Sequence, residues 1–138
     1  MDTAFLTTDD VQRFNAHFLG GQALLRDFGL LESAVMRPQS SAFGDDAYPS
    51  IFEKAAALLH GIARNHPFVD ANKRSAWTST NVFLMINGYL VEVDQGEIVS
   101  LVVDTAEGLL DVPAIAASLK AWAQPIGLAD ASSEPEQR

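Results

Sequence analysis

The sequence predicts a single all-α domain, a compact bundle of about six helices around a central buried helix. Two observations support this prediction. The stretch from Ser75 to Val91 contains no charged residue, and its apolar residues surround a helix on almost all sides, as in the centre of a bundle. Elsewhere, apolar residues recur at helical spacing between acidic helix starts and stops at glycine or proline.

Composition narrows the class of protein. The chain has 138 residues, 48% of them hydrophobic and 20% charged, which suits one globular domain. It contains no cysteine, which excludes disulfides, zinc-thiolate sites and thiol nucleophiles. The net charge of −9 argues against direct nucleic-acid binding. No secretory signal is visible, and serine, threonine and asparagine make the uncharged stretch a poor membrane span. We therefore expect a cytoplasmic protein.

The N-terminal third predicts two helices and a connector. Thr7 and Asp10 have the spacing of a capping box, so a first helix begins there and ends before Gly20. A short second helix is predicted over 29–36. Residues 38–48 have no helical period and predict a connecting segment.

The remainder predicts four more helices. Pro49 suits the first position of a helix that runs to the region of Asn65. The uncharged helix follows and leaves at an Asn–Gly turn. Asp94 and Glu97 form a second capping pair, and Val112 begins the last helix. We expect one domain over residues 1–124 and a mobile tail over 125–138, where glycine, serine, proline and glutamate dominate.

One short segment, His66 to Arg74, concentrates polar chemistry between the third and fourth helices. Pro67 pushes His66 towards extended geometry and so ends the incoming helix. Asp70 or Asn72, both good N-cap residues, should begin the outgoing helix. The free N–H groups of that helix start form an anion site, and two cations follow in its first turn.

Each polar side chain of this segment could act on a bound phosphate group. His66 can take a proton from a hydroxyl nucleophile. Asp70 can hold Mg²⁺. Asn72 can bind phosphate or brace the loop, while Lys73 supplies a point charge and Arg74 a bidentate fork. Phe68 is expected to anchor the loop in the core. Together they favour phosphoryl or nucleotidyl transfer.

The segment resembles the signature of the Fic/Doc family, in the form typical of its death-on-curing branch. The resemblance runs from Thr7 to Gln124. It implies a helical bundle with a flap, here residues 38–48, beside the active site. Arg64, just before the motif, could pair with the local surplus of acidic residues, or, as the resemblance implies, help to orient substrate and bind the cofactor.

The same resemblance assigns catalytic and binding roles. It implies that His66 is the general base, that Asp70 binds Mg²⁺, and that the anion nest comprises Asn72, Lys73 and Arg74. The cofactors it implies are ATP and Mg²⁺.

The chain departs from the adenylylating branch of that family at three positions, which are Ala71, Lys73 and Trp77. That branch has glycine at the first two and arginine at the third. The resemblance to the death-on-curing branch implies that a lysine in the phosphate nest goes with a reversed nucleotide, so that the γ-phosphate faces the histidine. The resemblance then implies a protein kinase that modifies a threonine of elongation factor Tu and arrests translation. An AMP transferase and a catalytically silent regulatory member are the alternatives.

The resemblance also implies a separate antitoxin. Many Fic proteins carry an inhibitory helix with serine or threonine four residues before a Glu–Gly or Glu–Asn pair. Here the only such pair is Glu107–Gly108, and Val103 stands four residues earlier. We therefore expect a Phd-like antitoxin as partner, covering the site and pairing with its cations.

His60 raises a different possibility, a metal-dependent phosphohydrolase that uses it with His66 and Asp70. No His–Asp dipeptide supports such a site, and first-row metals usually take three or four protein ligands. A structural role for His60 is the expectation.

Overall fold

The structure, a computed structural model, describes residues 2–127. Six α-helices account for most of these residues. The all-α bundle predicted from the sequence is confirmed. Between the helices lie a short 3₁₀ turn at Arg37–Gln39 and two small antiparallel ribbons. The helices are α1 (Thr8–Phe18), α2 (Phe28–Met36), α3 (Ile51–Asn65), α4 (Asn72–Ile86), α5 (Gln95–Ala106) and α6 (Val112–Trp122). The strands are β1 (Ser41–Ala42), β2 (Asp45–Asp46), β3 (Tyr89–Val91) and β4 (Ala123–Pro125).

The central helix of the bundle is α3, and the expectation that the uncharged helix α4 holds this place is wrong. α3 packs against α2, α4, α5 and α6, and nine of its fifteen residues are buried. Small side chains allow this close approach, above all Gly61, where an added Cβ would lie 2.9 Å from the Cβ of Ala34 on α2. In α4, Met85 and Ile86 are instead 44% and 48% exposed.

The start of α1 follows the predicted chemistry, and the start of α3 is displaced from it. The Thr7 hydroxyl accepts from the Asp10 N–H, and the Asp10 carboxylate accepts from the Thr7 N–H, so the predicted capping box is confirmed. The box of α3 uses Ser50 and Glu53 instead. Pro49 therefore precedes the cap and is not the first helical residue.

In the C-terminal half, a glycine ends α5 and an aspartate side chain caps the start of α6. Asp94 occupies the N-cap position of α5, but its side chain makes no capping bond. Gly108 ends α5 in the left-handed region, at φ +82°, and the following N–H of Leu109 returns to the Asp104 carbonyl. The Asp111 carboxylate accepts from the Ala114 N–H and caps α6.

The connector over 38–48 contains a β-hairpin rather than an irregular loop. β1 and β2 pair antiparallel, and Phe43 at the turn is fully exposed. The buried amine of Lys54 on α3 holds the returning strand: it lies 3.0 Å from the Asp46 carboxylate and donates to the Tyr48 carbonyl. The Arg37 Nε donates to the Tyr48 hydroxyl at 2.9 Å. The location of this hairpin beside an active site stays a prediction.

A second ribbon, which the sequence analysis missed, carries the described fold past residue 124. β3 pairs antiparallel with β4, which includes Pro125. The Ile126 N–H then donates to the Gly88 carbonyl at 2.7 Å. Of the predicted tail, residues 128–138 lie outside the described residues. Among residues 2–127 no helix has the length and apolarity needed to cross a membrane.

Candidate active site

The segment between α3 and α4 begins with His66 in a left-handed conformation. Its φ and ψ are +50° and +59°, so the expectation of extended geometry is wrong, although the predicted end of α3 at Asn65 is confirmed. Proline excludes the right-handed helix from the preceding residue and leaves other regions open. The guanidinium of Arg26 stabilises this turn by donating to the carbonyls of His66 at 2.7 Å and Asn65 at 2.8 Å.

Backbone hydrogen bonds from the segment just before α2 hold the loop between α3 and α4. The Arg26 and Asp27 N–H groups both donate to the Pro67 carbonyl, and the Val69 N–H donates to the Leu24 carbonyl at 2.8 Å. Between them Phe68 is 1% exposed and enters the hydrophobic core. Its predicted role as the anchor of the loop is confirmed.

The side chain of Asn72 braces the same loop with two hydrogen bonds. Its Oδ1 accepts from the Phe68 N–H and its Nδ2 donates to the Phe68 carbonyl, both at 2.9 Å. Of the two roles considered for Asn72, bracing is therefore observed, and phosphate binding stays a prediction.

The N-cap of α4 is Ala71, and the expectation of Asp70 or Asn72 there is wrong. Ala71 is left-handed, at φ +61°, and no side chain caps the helix. The Asp70 Oδ1 instead accepts from the Ala71 N–H at 2.7 Å. The uncapped first turn of α4 thus keeps the character of an anion site.

A cavity of about 300 Å³ brings most of the predicted site residues together. His66, Asp70 and the two cations are exposed there and can be reached from solvent, while Asn72 is half-buried. The arrangement offers an imidazole, a carboxylate and two cations around a helix N-terminus, which suits chemistry on a phosphate ester or anhydride. The lining residues are His66, Val69, Asp70, Ala71, Asn72, Lys73 and Arg74.

Arg64 lies elsewhere. It lines a separate cavity of about 490 Å³ with His60 and Asp111, and its Nη1 donates to the Ala106 carbonyl at 2.9 Å. Gly108 makes room for this guanidinium, since an added Cβ would lie 3.0 Å from Nη1. The structure does not bring Arg64 to the motif cavity, and its role towards the substrate stays a prediction.

His60 shares the surroundings of Arg64 and not those of His66. Its Nδ1 lies 2.9 Å from the Arg37 Nη1, so this nitrogen is the acceptor. Burial lowers the pKa of His60, Arg37 and Arg64 lower it further, and Asp111 opposes them. These contacts agree with the structural role expected for His60.

Asp70 has the donor chemistry for Mg²⁺. Its Oδ1 is engaged by the Ala71 N–H, and its second oxygen can face a cation. The described residues contain no group of three or more histidine, cysteine, aspartate or glutamate side chains suited to one metal ion. Mg²⁺ needs no such group, because it is commonly held by one or two carboxylates together with substrate phosphates and water.

Asn15 is a residue of the site that sequence reasoning missed. It is fully buried on α1, where its Nδ2 donates to the Asp70 carbonyl at 2.9 Å and to the Ser75 Oγ at 3.1 Å. Its Oδ1 accepts from the Leu24 N–H at 3.1 Å. A signal was present: Asn15 stands four residues after Val11, within the apolar stripe of its helix.

A second cavity of about 420 Å³ adjoins the first and shares Lys73 and Arg74 with it. Both Arg74 and Phe18 of α1 line this second cavity, and the Arg74 guanidinium carbon lies 5.2 Å from the ring centre of Phe18. The remaining lining is mostly apolar and comes from α4 and α5. It comprises Trp77, Thr78, Gln95, Ile98, Val99, Val102 and Val103.

Comparison with known proteins relates this chain to one family. The chain is 43% identical to a protein named Toxin Doc from Mycolicibacterium smegmatis, over 125 residues that cover 88% of this chain and 95% of that protein. It is 36% identical to the Protein kinase doc of Escherichia phage P1, over 101 residues that cover 73% and 79% of the two chains. The model of the Fic/DOC family matches residues 5–84, more than half of the chain. With the motif of that family set between two helices of a helical bundle, this chain belongs to the Fic/Doc family.

Proposed function

We propose that this protein is the toxin of a toxin–antitoxin pair and acts as an ATP- and Mg²⁺-dependent protein kinase. Its substrate in this proposal is a threonine hydroxyl of elongation factor Tu, so that its action arrests translation in the cytoplasm. The names of the two relatives, one a toxin and one a protein kinase, support the class of protein. The identity of the target comes from the family resemblance.

The observation that carries the proposal is the meeting of His66, Asp70 and two cations around one cavity at a helix N-terminus. His66 takes the proton of the attacking hydroxyl as that oxygen bonds to the γ-phosphorus. The bond from the γ-phosphorus to its bridging oxygen breaks, and ADP leaves with the electron pair. Lys73 and Arg74 neutralise phosphoryl charge.

Asp70 would hold Mg²⁺ by its free carboxylate oxygen. When bound, this ion neutralises charge on the phosphates and fixes their orientation. The bond from the Ala71 N–H keeps the other oxygen in place, so the carboxylate is oriented before any ligand arrives.

Lys73 supports γ-transfer over AMP transfer. Its side chain lines the cavity beside the start of α4, where a glycine would leave the backbone open to the inner phosphates. A cation in that place favours the outer end of the nucleotide, which carries the greater charge.

Parallel reactions with ATP labelled at the α- or the γ-phosphate test this function. Purified elongation factor Tu is the acceptor, and phosphopeptide mapping identifies the residue. Label is expected to reach protein from the γ-position alone, and His66→Ala is expected to lose transfer while keeping its thermal unfolding midpoint. Label from the α-position alone would replace the kinase with an AMP transferase. A folded wild-type chain without transfer would favour a silent regulatory member.

The antitoxin of this proposal would cover the two cations. Lys73 and Arg74 stand where the polar motif cavity meets the apolar cavity. That surface fits a Phd-like antitoxin segment that places acidic side chains on the cations and apolar side chains beside Trp77. Such a partner would block the entry of phosphates and inhibit transfer without a covalent change.

A further inference from the structure

One face of α1 contacts the catalytic segment at its middle and at its exit into α4. Asn15 contacts its middle, through the Asp70 carbonyl, and its exit, through the Ser75 hydroxyl. Phe18, three residues later on the same helix, lies under the guanidinium of Arg74. No residue of α1 lines the motif cavity itself.

The amide of Asn15 is fully occupied by these contacts. Both hydrogens of Nδ2 have acceptors, at Asp70 and Ser75, and Oδ1 has a donor, the Leu24 N–H. The orientation of the amide follows from its partners, since a carbonyl must face the nitrogen and an N–H must face the oxygen. Asn15 therefore fastens three separate parts of the chain to one another in a fully buried position.

The hydrogen bond from Asn15 to the Asp70 carbonyl acts on the peptide unit beside the Asp70 carboxylate. That carbonyl belongs to the peptide unit that joins Asp70 to the left-handed Ala71. Rotation of this unit would turn the Ala71 N–H, and with it the carboxylate oxygen that the N–H holds. The bond from Asn15 thus fixes the direction of the carboxylate as well as the start of α4.

The contact of Phe18 with Arg74 leaves the useful part of the guanidinium free. The guanidinium carbon lies 5.2 Å from the ring centre, and a cation–π contact at this distance draws on the face of the ring without needing the five N–H groups as hydrogen-bond donors. Arg74 is exposed and would otherwise sample many rotamers. Stacking reduces that freedom, so less conformational entropy is lost when phosphate binds.

We propose that Asn15 and Phe18 are positioning residues, which hold Asp70 and Arg74 in the arrangement that binds the phosphates of a nucleotide. The proposal rests on the proposed function only in taking the ligand to be a nucleotide with Mg²⁺. It does not depend on which phosphate is transferred.

The first test separates stacking from packing at Phe18. Binding of Mg²⁺ with a non-hydrolysable ATP analogue is measured by calorimetry. Phe18→Leu keeps an apolar side chain but loses the ring face, and it should weaken binding about threefold. Phe18→Tyr keeps the face and should bind within about twofold of the wild type. Phe14→Leu, a control on the same helix that packs on the core, should bind as the wild type does.

The second test addresses Asn15. Asn15→Ala should raise the Mg²⁺ concentration needed for half-maximal transfer and lower kcat, because the carboxylate and the first turn of α4 lose their common fixing point. Ser75→Ala, which removes one acceptor of the same amide, should change both quantities in the same direction to a smaller extent. Thr105→Val is the control, since it removes a buried hydroxyl that bonds within α5, to the Leu101 carbonyl.

The outcomes separate the two proposals. The positioning roles would be overturned if the losses of binding and transfer merely followed the loss of thermal stability. Equal losses in Asn15→Ala and Thr105→Val, or in Phe18→Leu and Phe14→Leu, would be that result. If Asn15→Ala does not fold, the Phe18 and Ser75 variants decide. Wild-type transfer of AMP would overturn the kinase alone, because the ratios of variant to wild type are still measured. A wild-type chain that binds no nucleotide would overturn both.

Discussion

A single arginine from outside the motif supports the conformation of the candidate general base. His66 is left-handed, a conformation that costs a residue with a Cβ about 1–2 kcal/mol. The two bonds from Arg26 to the carbonyls of His66 and Asn65 offset this cost and satisfy the C-terminal end of α3. The planar fork is what allows one side chain to bond both carbonyls.

Arg26→Ala is therefore expected to lower the free energy of unfolding by about 1 kcal/mol. Arg26→Lys should recover only part of this, because an ammonium cannot reproduce the fork. Chemical denaturation checks the loss. Arg13→Ala serves as the control: its exposed pair with Asp9 should contribute about 0.5 kcal/mol or less. Equal effects at the two arginines would contradict the assigned role.

Residue types at the motif were predictable, and their partners were not. The chemistry of His66, Asp70, Lys73 and Arg74 follows from their side chains, and one cavity does unite them. Arg64 is only two residues from His66 in sequence, yet it lines another cavity. It belongs to α3, whose turns point successive side chains in different directions, whereas the loop and the first turn of α4 place the motif side chains around one cavity that is open to solvent.

At the scale of the elements, the close approach of α3 to α2 depends on a glycine. An added Cβ at Gly61 on α3 would meet the Ala34 Cβ at 2.9 Å and its Cα at 3.0 Å. Backbone atoms cannot move aside without shifting α2 as a whole. α2 is the helix that follows the Arg26 segment, so its position also affects the loop that carries His66.

Gly61→Ala is expected to destabilise the protein by about 1–3 kcal/mol through this overpacking. Gly96→Ala is the matched change in α5, where an added Cβ meets nothing within 4 Å. It should stabilise by up to about 1 kcal/mol, because alanine favours the helix over glycine. Thermal unfolding of both variants decides, and a Gly61→Ala protein as stable as the wild type would contradict the packing argument.

The contact between α3 and the 3₁₀ turn introduces a pH dependence. The pKa of His60 is lowered from its ordinary value of 6.5, first by burial and then by Arg37 and Arg64. The unfolded chain therefore binds this proton more readily than the folded one. The stability that His60 contributes is fully present above pH 6.5 and is lost as the pH falls below that value.

His60→Gln is expected to reduce this dependence. Between about pH 7.5 and pH 5.5, the unfolding midpoint of the wild type should fall further than that of His60→Gln. His17→Gln, which removes an exposed histidine of α1, is the control for the loss of one histidine. Parallel curves for the wild type and His60→Gln would rule out the explanation.

At the scale of the whole molecule, the ribbon of β3 and β4 joins the C-terminal end of α6 to the exit of α4. Its register pairs Val91 with Ala123 and Tyr89 with Pro125. The Glu92 N–H adds a bond to the Trp122 carbonyl at 2.9 Å, and a further bond follows at Ile126. This ribbon ties the last element to the helix that begins at the motif.

Two shortened chains test the importance of this closure. A chain that ends at residue 127 keeps the whole ribbon and serves as the reference. A chain that ends at residue 122 loses β4, and its midpoint should fall because the backbone groups of β3 lose their partners. Equal midpoints for the two chains would show that the ribbon adds nothing.

The sequence by itself determined the helical class, most helix ends and the functional groups that the motif presents, because these depend on local periodicity, capping residues and side-chain type. Tertiary structure alone decided which helix is central, where Arg64 points, that β4 pairs with β3, and that Asn15 holds Asp70. The physical reason is distance along the chain. Contacts such as that of Asn15 with Asp70 join residues far apart in sequence, and their geometry appears only once the helices have packed against one another.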